Sequence, residues 1–370
     1  MYTKNLTQTL LLCIPLALIG LGIIMIYSSS SLVAAQKYQD STYFLKKQLL
    51  FGVCGIIGML VMMRIPYCVL RRWAYPFWGF CLVLLGLVLV PGLGIKAGGA
   101  VRWLGVGPLT FQPAELAKLA LIIALACSLS KKDPERMKTF WVGVVPHLMI
   151  TLPLCALIVV QPDFGTAMML AVVVFVMLYI AGAHRKYLIA LTLIACTAGA
   201  FLIIQKGYRL ERCLTFLDPW KDPTGSGFQI IQSFLAFGSG GLTGTGLGKG
   251  YQKLYYLPEP HTDFILSVIG EELGFVGVII VIALFAVLVV CGIKIALQSY
   301  DPFGCYIAVG IVVLIGVQTL LNMGVVTGLL PTKGMPLPFL SYGGTALLVN
   351  QLSIGILLSI AGQSHFTARS

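Results

Sequence analysis

Charged side chains are scarce in this sequence. They make up 10% of its 370 residues, with 13 acidic against 25 basic side chains. Soluble domains carry about 25% charged residues, so the composition argues against a water-soluble core. Apolar residues reach 58%, and the mean hydropathy is +0.94. The chain is therefore predicted to be a polytopic membrane protein.

The sequence also lacks the spacings of disulfide frameworks and metal sites. Ten cysteines are present without one CxxC pair, and nine of them lie in or beside apolar segments, where they read as small buried residues. The four histidines are scattered, and HExxH, GxSxG and EF-hand spacings are absent. We therefore predict no metal site built from protein ligands alone.

Nucleic-acid and nucleotide binding find little support either. The net charge is +12, but the basic residues form no single patch interleaved with aromatics, so they fit loops lying on anionic headgroups. Residues 238–250 hold seven glycines. Thr243 stands where a Walker A loop needs glycine, and Gly250 where it needs Ser or Thr. We interpret these glycines as permitting tight turns in re-entrant backbone.

Ten stretches are apolar enough to cross a bilayer, which takes about 20 residues each. They cover residues 10–34, 48–63, 74–90, 113–129, 142–159, 167–183, 187–204, 264–297, 305–328 and 342–361. The predicted fold is all-α and polytopic: one integral membrane domain over 1–370, with 206–263 as a long extracytoplasmic loop. Short loops on the side of the termini are the more basic, so both termini are expected in the cytoplasm.

Two motifs lie at predicted outward turns. Arg102 and Trp103 end GGAVRW, and Glu115 and Lys118 lie three apart in FQPAELAKLA, on one face of a helix. One interpretation is a local ion pair with Trp103 as an interfacial anchor; the other is a grip on a phosphate-rich substrate. At the next turn Asp163 is predicted to cap the following helix.

The stretch Pro258-Glu-Pro-His-Thr-Asp-Phe places Glu259, His261 and Asp263 at the mouth of an apolar segment. Ionisable residues at membrane depth are costly and are functional candidates by default. Asp263 could also act as an N-cap. Glu271 and Glu272, further in, are predicted to pair structurally with a basic neighbour.

The stretch from Leu330 to Gly344 has three prolines in eight residues, which excludes a regular helix. Non-helical backbone at membrane depth is tolerated inside protein or along a wet cavity. We therefore predict a cavity wall toward which Lys333 projects.

Taken together, these motifs resemble the SEDS family, the polytopic glycosyltransferases of bacterial wall growth. The likeness runs over nearly the whole chain: YSSS, GGAVRW, FQPAELAKLA, QPDFGTA, DPWKDPTGSGFQ, PEPHTDF, GEELGF and LPTKGMPLPFLSYGG. LPTKG with YRLER and FLDPW resembles the division branch more than the elongation or sporulation branches. The resemblance implies ten spans, an outward active site and lipid II as substrate.

The resemblance also implies roles for residues. Asp263 matches the family's catalytic aspartate, and Arg102, Lys118 and Lys333 match its important basic residues. The full set that we expect at the substrate comprises Arg102, Trp103, Glu115, Lys118, Arg209, Arg212, Lys249, Glu259, His261, Lys333 and Ser341.

The implied reaction is inverting polymerisation of lipid II into β-1,4-linked strands with release of undecaprenyl diphosphate. No cofactor is required, and a divalent cation (Mg²⁺ or Mn²⁺) on the diphosphate is left open. A lipid II flippase is the main alternative, although the inward half looks apolar; a non-catalytic scaffold is the third. The implied partners are a class B penicillin-binding protein and other division proteins. The implied location is the septal region of the bacterial cytoplasmic (inner) membrane.

Overall fold

The computed structural model describes residues 2–97, 100–106, 109–205, 207–225, 227–251 and 260–363. Helices dominate this part of the chain. They are α1 Tyr2–Tyr38, α2 Tyr43–Arg64, α3 Val69–Val88, α4 Pro113–Leu129, α5 Pro134–Met137, α6 Phe140–Gly143, α7 Val145–Val160, α8 Phe164–Ile180, α9 Arg185–Ile204, α10 Gly207–Leu217, α11 Phe228–Gly240, α12 Ile265–Leu297, α13 Pro302–Val326 and α14 Gly344–Gln363.

Each of the ten predicted apolar segments coincides with one helix, namely α1–α4, α7–α9 and α12–α14. Six of these helices, within the described residues, are long and apolar enough to cross a membrane: α1, α2, α9, α12, α13 and α14. The helical membrane fold is therefore confirmed, whereas the count of ten spans stays a prediction. The predicted loop 206–263 contains α10, α11 and a 3-10 turn at Pro219–Lys221.

Helix α4 lies at the centre of the bundle. It begins with Pro113 at its first position, where a missing N–H costs nothing. It is buried along nearly its whole length and packs against α3, α7, α8, α13 and α14. In contrast, Leu188 is the one residue of α9 that is buried, so this helix presents an apolar surface to its surroundings.

A small antiparallel sheet, which the sequence did not predict, precedes α4. Its strands are β1 Gly94–Ala97, β2 Ala100–Val106 and β3 Leu109–Phe111, in the order β1-β2-β3. Trp103 pairs with Ile95, and Leu104 with Phe111. The sheet thus fixes the strand that carries Arg102 beside the start of α4.

The loops at one end of the bundle meet each other, and we call this the site end. Tyr342 N donates to the carbonyl oxygen of His261 at 2.8 Å. Gln48 Nε2 donates to the carbonyl oxygen of Ser341 at 3.3 Å. Helix α12 begins at this end and is broken at Gly274, where φ is +68°. The opposite end holds short turns such as the one before α13.

Candidate active site

Asp263 lies at the site end, two residues before α12. The N-cap of this helix is Phe264, so Asp263 is not the cap that one interpretation of the sequence allowed. Its backbone is fixed from α13, because Asn322 Nδ2 donates to the carbonyl oxygen of Asp263 at 2.9 Å and to that of Met335 at 2.7 Å. The carboxylate is half-buried and lies beside Gly334, whose added Cβ would stand 2.7 Å from Oδ2.

Gly334 also lines a small cavity of about 40 Å³. This volume has room for a few water molecules at most. The carboxylate of Asp263 is therefore adjacent to a polar cavity. The cavity is lined by Arg102, Gln112, Glu115, Lys118, Asp163, Thr166, Met169, Gln318, Gly334, Met335 and Pro336.

Glu115 and Lys118 form a buried ion pair in the first turns of α4. Lys118 Nζ lies 2.7 Å from Glu115 Oε2, and the two side chains are 3% and 7% exposed. Lys118 Nζ also donates to Gln318 Oε1 at 3.2 Å. The predicted local pairing is thus present, and it places a compensated cation in the cavity wall.

Arg102 reaches the cavity from β2. Its Nε donates to the carbonyl oxygen of Gln161 at 3.1 Å, and its Nη2 donates to that of Pro162. Both acceptors are neutral carbonyl oxygens, so they do not neutralise the positive charge of the guanidinium. Trp103, the next residue on β2, is half-buried.

Asp163 caps α8, as the sequence predicted. Its carboxylate accepts from Thr166 N at 3.2 Å and from Thr166 Oγ1 at 2.8 Å. The amine of Lys333 lies 3.8 Å from Asp163 Oδ1. This amine crosses the α carbon of Gly165, whose added Cβ would meet Nζ at 1.5 Å. The glycine of QPDFGTA thus makes room for the lysine of LPTKG.

Lys333 is the most perturbed cation at this end. It lies in the segment between α13 and α14, and its Nζ is buried without a hydrogen-bond partner among the described residues. Burial lowers the pKa of Lys333 to about 8, although the Asp163 carboxylate acts in the opposite direction. The cavity and its rim thus combine three basic side chains with two acidic ones, and one of the three is easily deprotonated.

His261 is part of an aromatic cluster. Its ring lies 4.5 Å from that of Phe44 and 5.6 Å from that of Tyr342. Burial, with a smaller effect of Lys37, lowers the pKa of His261 to about 4. The imidazole is therefore neutral at pH 7, and it packs between Phe44 and Tyr342 rather than carrying charge.

The remaining predicted substrate residues are spread more widely. Arg212 Nη1 donates to the carbonyl oxygen of Thr332 at 3.4 Å. Ser341 Oγ accepts from Leu337 N at 2.8 Å, which holds the turn before α14. Lys249 lines a separate groove beside α1. The Arg209 side chain and Glu259 lie outside the described residues.

Sequence reasoning missed two amides on α13. Gln318 and Asn322 lie four residues apart and face the cavity and Asp263. Gln318 Nε2 also donates to the carbonyl oxygen of Pro336 at 2.8 Å. The available signal was a pair of amides one turn apart in an otherwise apolar segment, since polar side chains inside a membrane bundle are expensive.

The described residues include no group of three or more His, Cys, Asp or Glu side chains that could hold a metal ion. The two carboxylates that line the cavity are those of Glu115 and Asp163, and each already faces a lysine. Chemically, the arrangement offers a half-buried carboxylate next to a cation-rich cavity. It suits removal of a proton beside an anionic group.

Comparison with known proteins finds relatives that match nearly the whole chain. A family model described as Cell cycle protein, covering FtsW, RodA and SpoVE, matches residues 8–365. A probable peptidoglycan glycosyltransferase FtsW of Geobacter metallireducens is 48% identical over 351 residues, 95% of this chain and 93% of that one. Stage V sporulation protein E of Bacillus subtilis is 44% identical over 99% of this chain and 100% of that one.

Two solved structures share the fold. One is a chain of a peptidoglycan synthase complex that coordinates polymerization and crosslinking. It has a TM-score of 0.78 and 31% identity, over 96% of this chain and 98% of that one. The other is the rod shape determining protein RodA of Thermus thermophilus, with a TM-score of 0.71 and 29% identity over 96% of each chain.

Proposed function

We propose that Asp263 is the catalytic base of this chain, which belongs to the FtsW/RodA/SpoVE family of cell cycle proteins and is a peptidoglycan glycosyltransferase. The substrate is lipid II, which the enzyme polymerises into β-1,4-linked glycan strands. The observation that carries the assignment is the shared glycine: Gly334 lines the cationic cavity, and a Cβ added to it would stand 2.7 Å from Asp263 Oδ2.

In the proposed reaction, Asp263 accepts the proton of the GlcNAc 4-hydroxyl of the acceptor. The oxygen attacks the anomeric carbon of the donor MurNAc, and the bond to undecaprenyl diphosphate breaks with inversion. A free Asp side chain has a pKa of about 3.9 and is a weak base at pH 7. Partial burial moves a carboxyl toward the working range.

Basic side chains of the cavity and its rim stabilise the negative charge of the leaving diphosphate. Diphosphate leaves without a general acid, so the enzyme gains most by stabilising its negative charge, at a few kcal/mol for each well-placed donor. We assign this role to Arg102 and Lys333, with Lys118 behind them. Lys118 is already paired with Glu115, so its contribution is to hold the wall rather than to meet phosphate directly.

A divalent cation is a separate proposal. Mg²⁺ prefers oxygen ligands and keeps several waters, and Asp163 and Glu115 are occupied by lysines. Any such ion would arrive on the lipid diphosphate, and chelation with EDTA in the polymerisation assay tests this. The step catalysed by Asp263 does not depend on it.

We also propose the cellular setting. A class B penicillin-binding protein is the expected partner, which the likeness to a chain of a synthase complex supports. The similarity to relatives named FtsW supports septal wall synthesis in the cytoplasmic (inner) membrane. The more basic short loops on the side of the termini favour cytoplasmic termini. Residues Trp103, Arg212, Lys249, His261 and Ser341 remain candidate substrate contacts, as do Arg209 and Glu259.

The test is lipid II polymerisation by purified protein with its penicillin-binding partner, wild type against Asp263→Ala. Long strands from wild type and none from the variant, with equal thermal stability, are expected. Normal strands from the variant would overturn the assignment. If neither made strands and lipid II crossed liposomes in both, the flippase would replace the polymerase.

A further inference from the structure

Helix α12 is broken, and a glycine-rich loop fills the break. At the break the carbonyl oxygens of Glu271 and Glu272 accept from Thr245 N at 2.9 Å and from Gly246 N at 3.0 Å. On the other side, Phe275 N donates to the carbonyl oxygen of Gly241 at 2.9 Å. The loop therefore replaces the hydrogen bonds that a continuous helix would have made, as buried backbone requires.

The glycines are needed for this contact. Gly244 has a φ of +81°, and an added Cβ would stand 2.2 Å from the carbonyl oxygen of Glu272. A Cβ on Gly274 would stand 2.3 Å from Gly244 N. Because only glycine takes this conformation and this close approach without strain, the loop and the break are matched to each other.

Side-chain hydrogen bonds also hold the same loop, in addition to the backbone hydrogen bonds described above. Both carboxylate oxygens of Glu272 accept from Ser28 Oγ of α1, at 2.7 and 2.9 Å. Glu272 Oε2 also accepts from Gly248 N at 3.0 Å, and Glu271 Oε1 accepts from Tyr251 N at 2.6 Å. We call Ser28, Gly248, Tyr251, Glu271 and Glu272 the glutamate clasp.

The glutamate clasp joins α1 and α12 through buried acidic side chains, which is unfavourable in free energy. Both glutamates are 0% exposed, and burying acidic groups costs several kcal/mol unless their hydrogen bonds offset it. Apolar side chains of similar volume are often equally stable or more stable in such places. Stability alone therefore does not account for two adjacent buried glutamates. A role in positioning the backbone that they hold does account for them.

The position of the clasp suggests that role. The half-helix that carries both glutamates, residues 265–273, begins two residues after Asp263. The clasp thus ties the half-helix that directly follows this residue to α1 and to the glycine-rich loop. Because a displacement of about 1 Å can cost a hundredfold in rate, the tie bears directly on catalysis.

We propose that Glu272, held by Ser28, is a positioning residue that sets the place of Asp263. This inference rests on the proposed function of Asp263 as the base. Neither Glu272 nor Ser28 touches substrate in this account; they act through the half-helix and the loop. Their loss lowers turnover, while the part of the affinity for lipid II that comes from the separate cationic cavity is kept.

The experiment compares Ser28→Ala with Ser28→Thr in full-length protein with its partner. Thr keeps the hydroxyl, and its methyl group has room because Ser28 borders an open groove of about 700 Å³. We expect Ser28→Ala and Glu272→Gln to lower kcat for lipid II polymerisation about 10- to 100-fold with KM unchanged, and Ser28→Thr to restore most of it.

Ser30→Ala is the matched control, since Ser30 Oγ donates to the carbonyl oxygen of Ile26 in its own helix. A lower melting temperature with wild-type kcat in Ser28→Ala would show a merely structural clasp and overturn the proposal. Asp263→Asn in the same assay separates the two claims. If Asp263→Asn is active, the proposal that Asp263 is the base is refuted. If Asp263→Asn is inactive and Ser28→Ala is fully active, only the proposal about the glutamate clasp is refuted.

Discussion

The two ends of the helical bundle differ in how deeply their ion pairs are buried. At the site end the pair Glu115–Lys118 is 7% and 3% exposed, inside the bundle. At the opposite end the pair Asp133–Arg136 is 78% and 74% exposed. An exposed pair contributes about 0–1 kcal/mol, whereas removing one partner of a buried pair costs about 3–5 kcal/mol. The site end therefore holds charges whose loss the fold tolerates poorly.

The backbone differs between the ends in the same way. At the opposite end α13 starts regularly: Asp301 accepts from Gly304 N at 3.1 Å, and Pro302 follows at the first position. At the site end the wall segment 331–341 is non-helical, and α12 is broken at Gly274. Irregular backbone and buried charge coincide where the reaction is proposed, and are absent from the turn before α13.

The largest expected effect on stability comes from breaking the buried pair. Lys118→Met leaves the Glu115 carboxylate buried without its lysine, so the free energy of unfolding should fall by about 3–5 kcal/mol. Lys138→Met, which breaks the exposed pair with Glu135, should change it by less than about 1 kcal/mol. Chemical denaturation in detergent measures both.

A double variant sharpens this contrast. Glu115→Gln with Lys118→Met removes both charges, so most of the lost stability should return. Polymerisation should stay below that of wild type, because the buried pair that holds the cavity wall is lost. Equal stability of Lys118→Met and Lys138→Met would contradict the difference between the ends.

Two glycines allow the base and the cation to be moved separately. Gly334→Ala should displace the Asp263 carboxylate and lower kcat, and Gly165→Ala should displace the Lys333 amine and raise KM, each by roughly 10- to 100-fold. In both, the nearest atom is the end of a side chain, so folding should persist. Gly86→Ala in α3, whose Cβ meets nothing within 4 Å, is the control, and identical kinetics for all three would refute the separation.

A smaller effect is expected from pH. Because burial lowers the pKa of Lys333 to about 8, its charge is lost as the pH rises through 8, and polymerisation should decline there by up to roughly tenfold for one lost charge contact. Burial raises the pKa of Tyr342 to about 12, so this residue does not titrate in the same window. Lys333→Arg keeps its charge and should abolish the decline.

Stability should move in the opposite direction. Between pH 8 and 10.5 the unfolded chain binds the Lys333 proton and the folded chain does not, so the free energy of unfolding rises with pH. Loss of activity with a parallel loss of stability in wild type would therefore point to unfolding rather than to Lys333.

Local features of the site could be predicted from the sequence. Asp163 caps α8 and Glu115 pairs with Lys118, because three-residue spacing determines both contacts. Each of the ten apolar segments coincides with one helix. Hydropathy could predict them because it depends on the composition of a whole segment. These predictions depend on neighbours within one helical turn or on composition.

Contacts between distant residues could not be predicted in this way. Lys333 reaches Asp163 across Gly165, and the break in α12 depends on hydrogen bonds from Thr245 and Gly246. The apolar pattern of α12 continues through the break, so hydropathy gives no sign of it. The alternative of Asp263 as an N-cap was wrong because the chain stays non-helical for one more residue, Phe264.

The most direct test of the account is one substitution of the same kind at each end. Asp263→Asn and Asp301→Asn are compared in lipid II polymerisation and in thermal stability. The account predicts that Asp263→Asn loses about 10²- to 10⁴-fold in kcat with its stability kept. Asp301→Asn keeps an N-cap acceptor for Gly304 N but loses the partly exposed ion pair with Arg71, so it should lose less than about 1 kcal/mol of stability with its turnover kept. Wild-type turnover of Asp263→Asn, or equal loss of turnover in both, would contradict it.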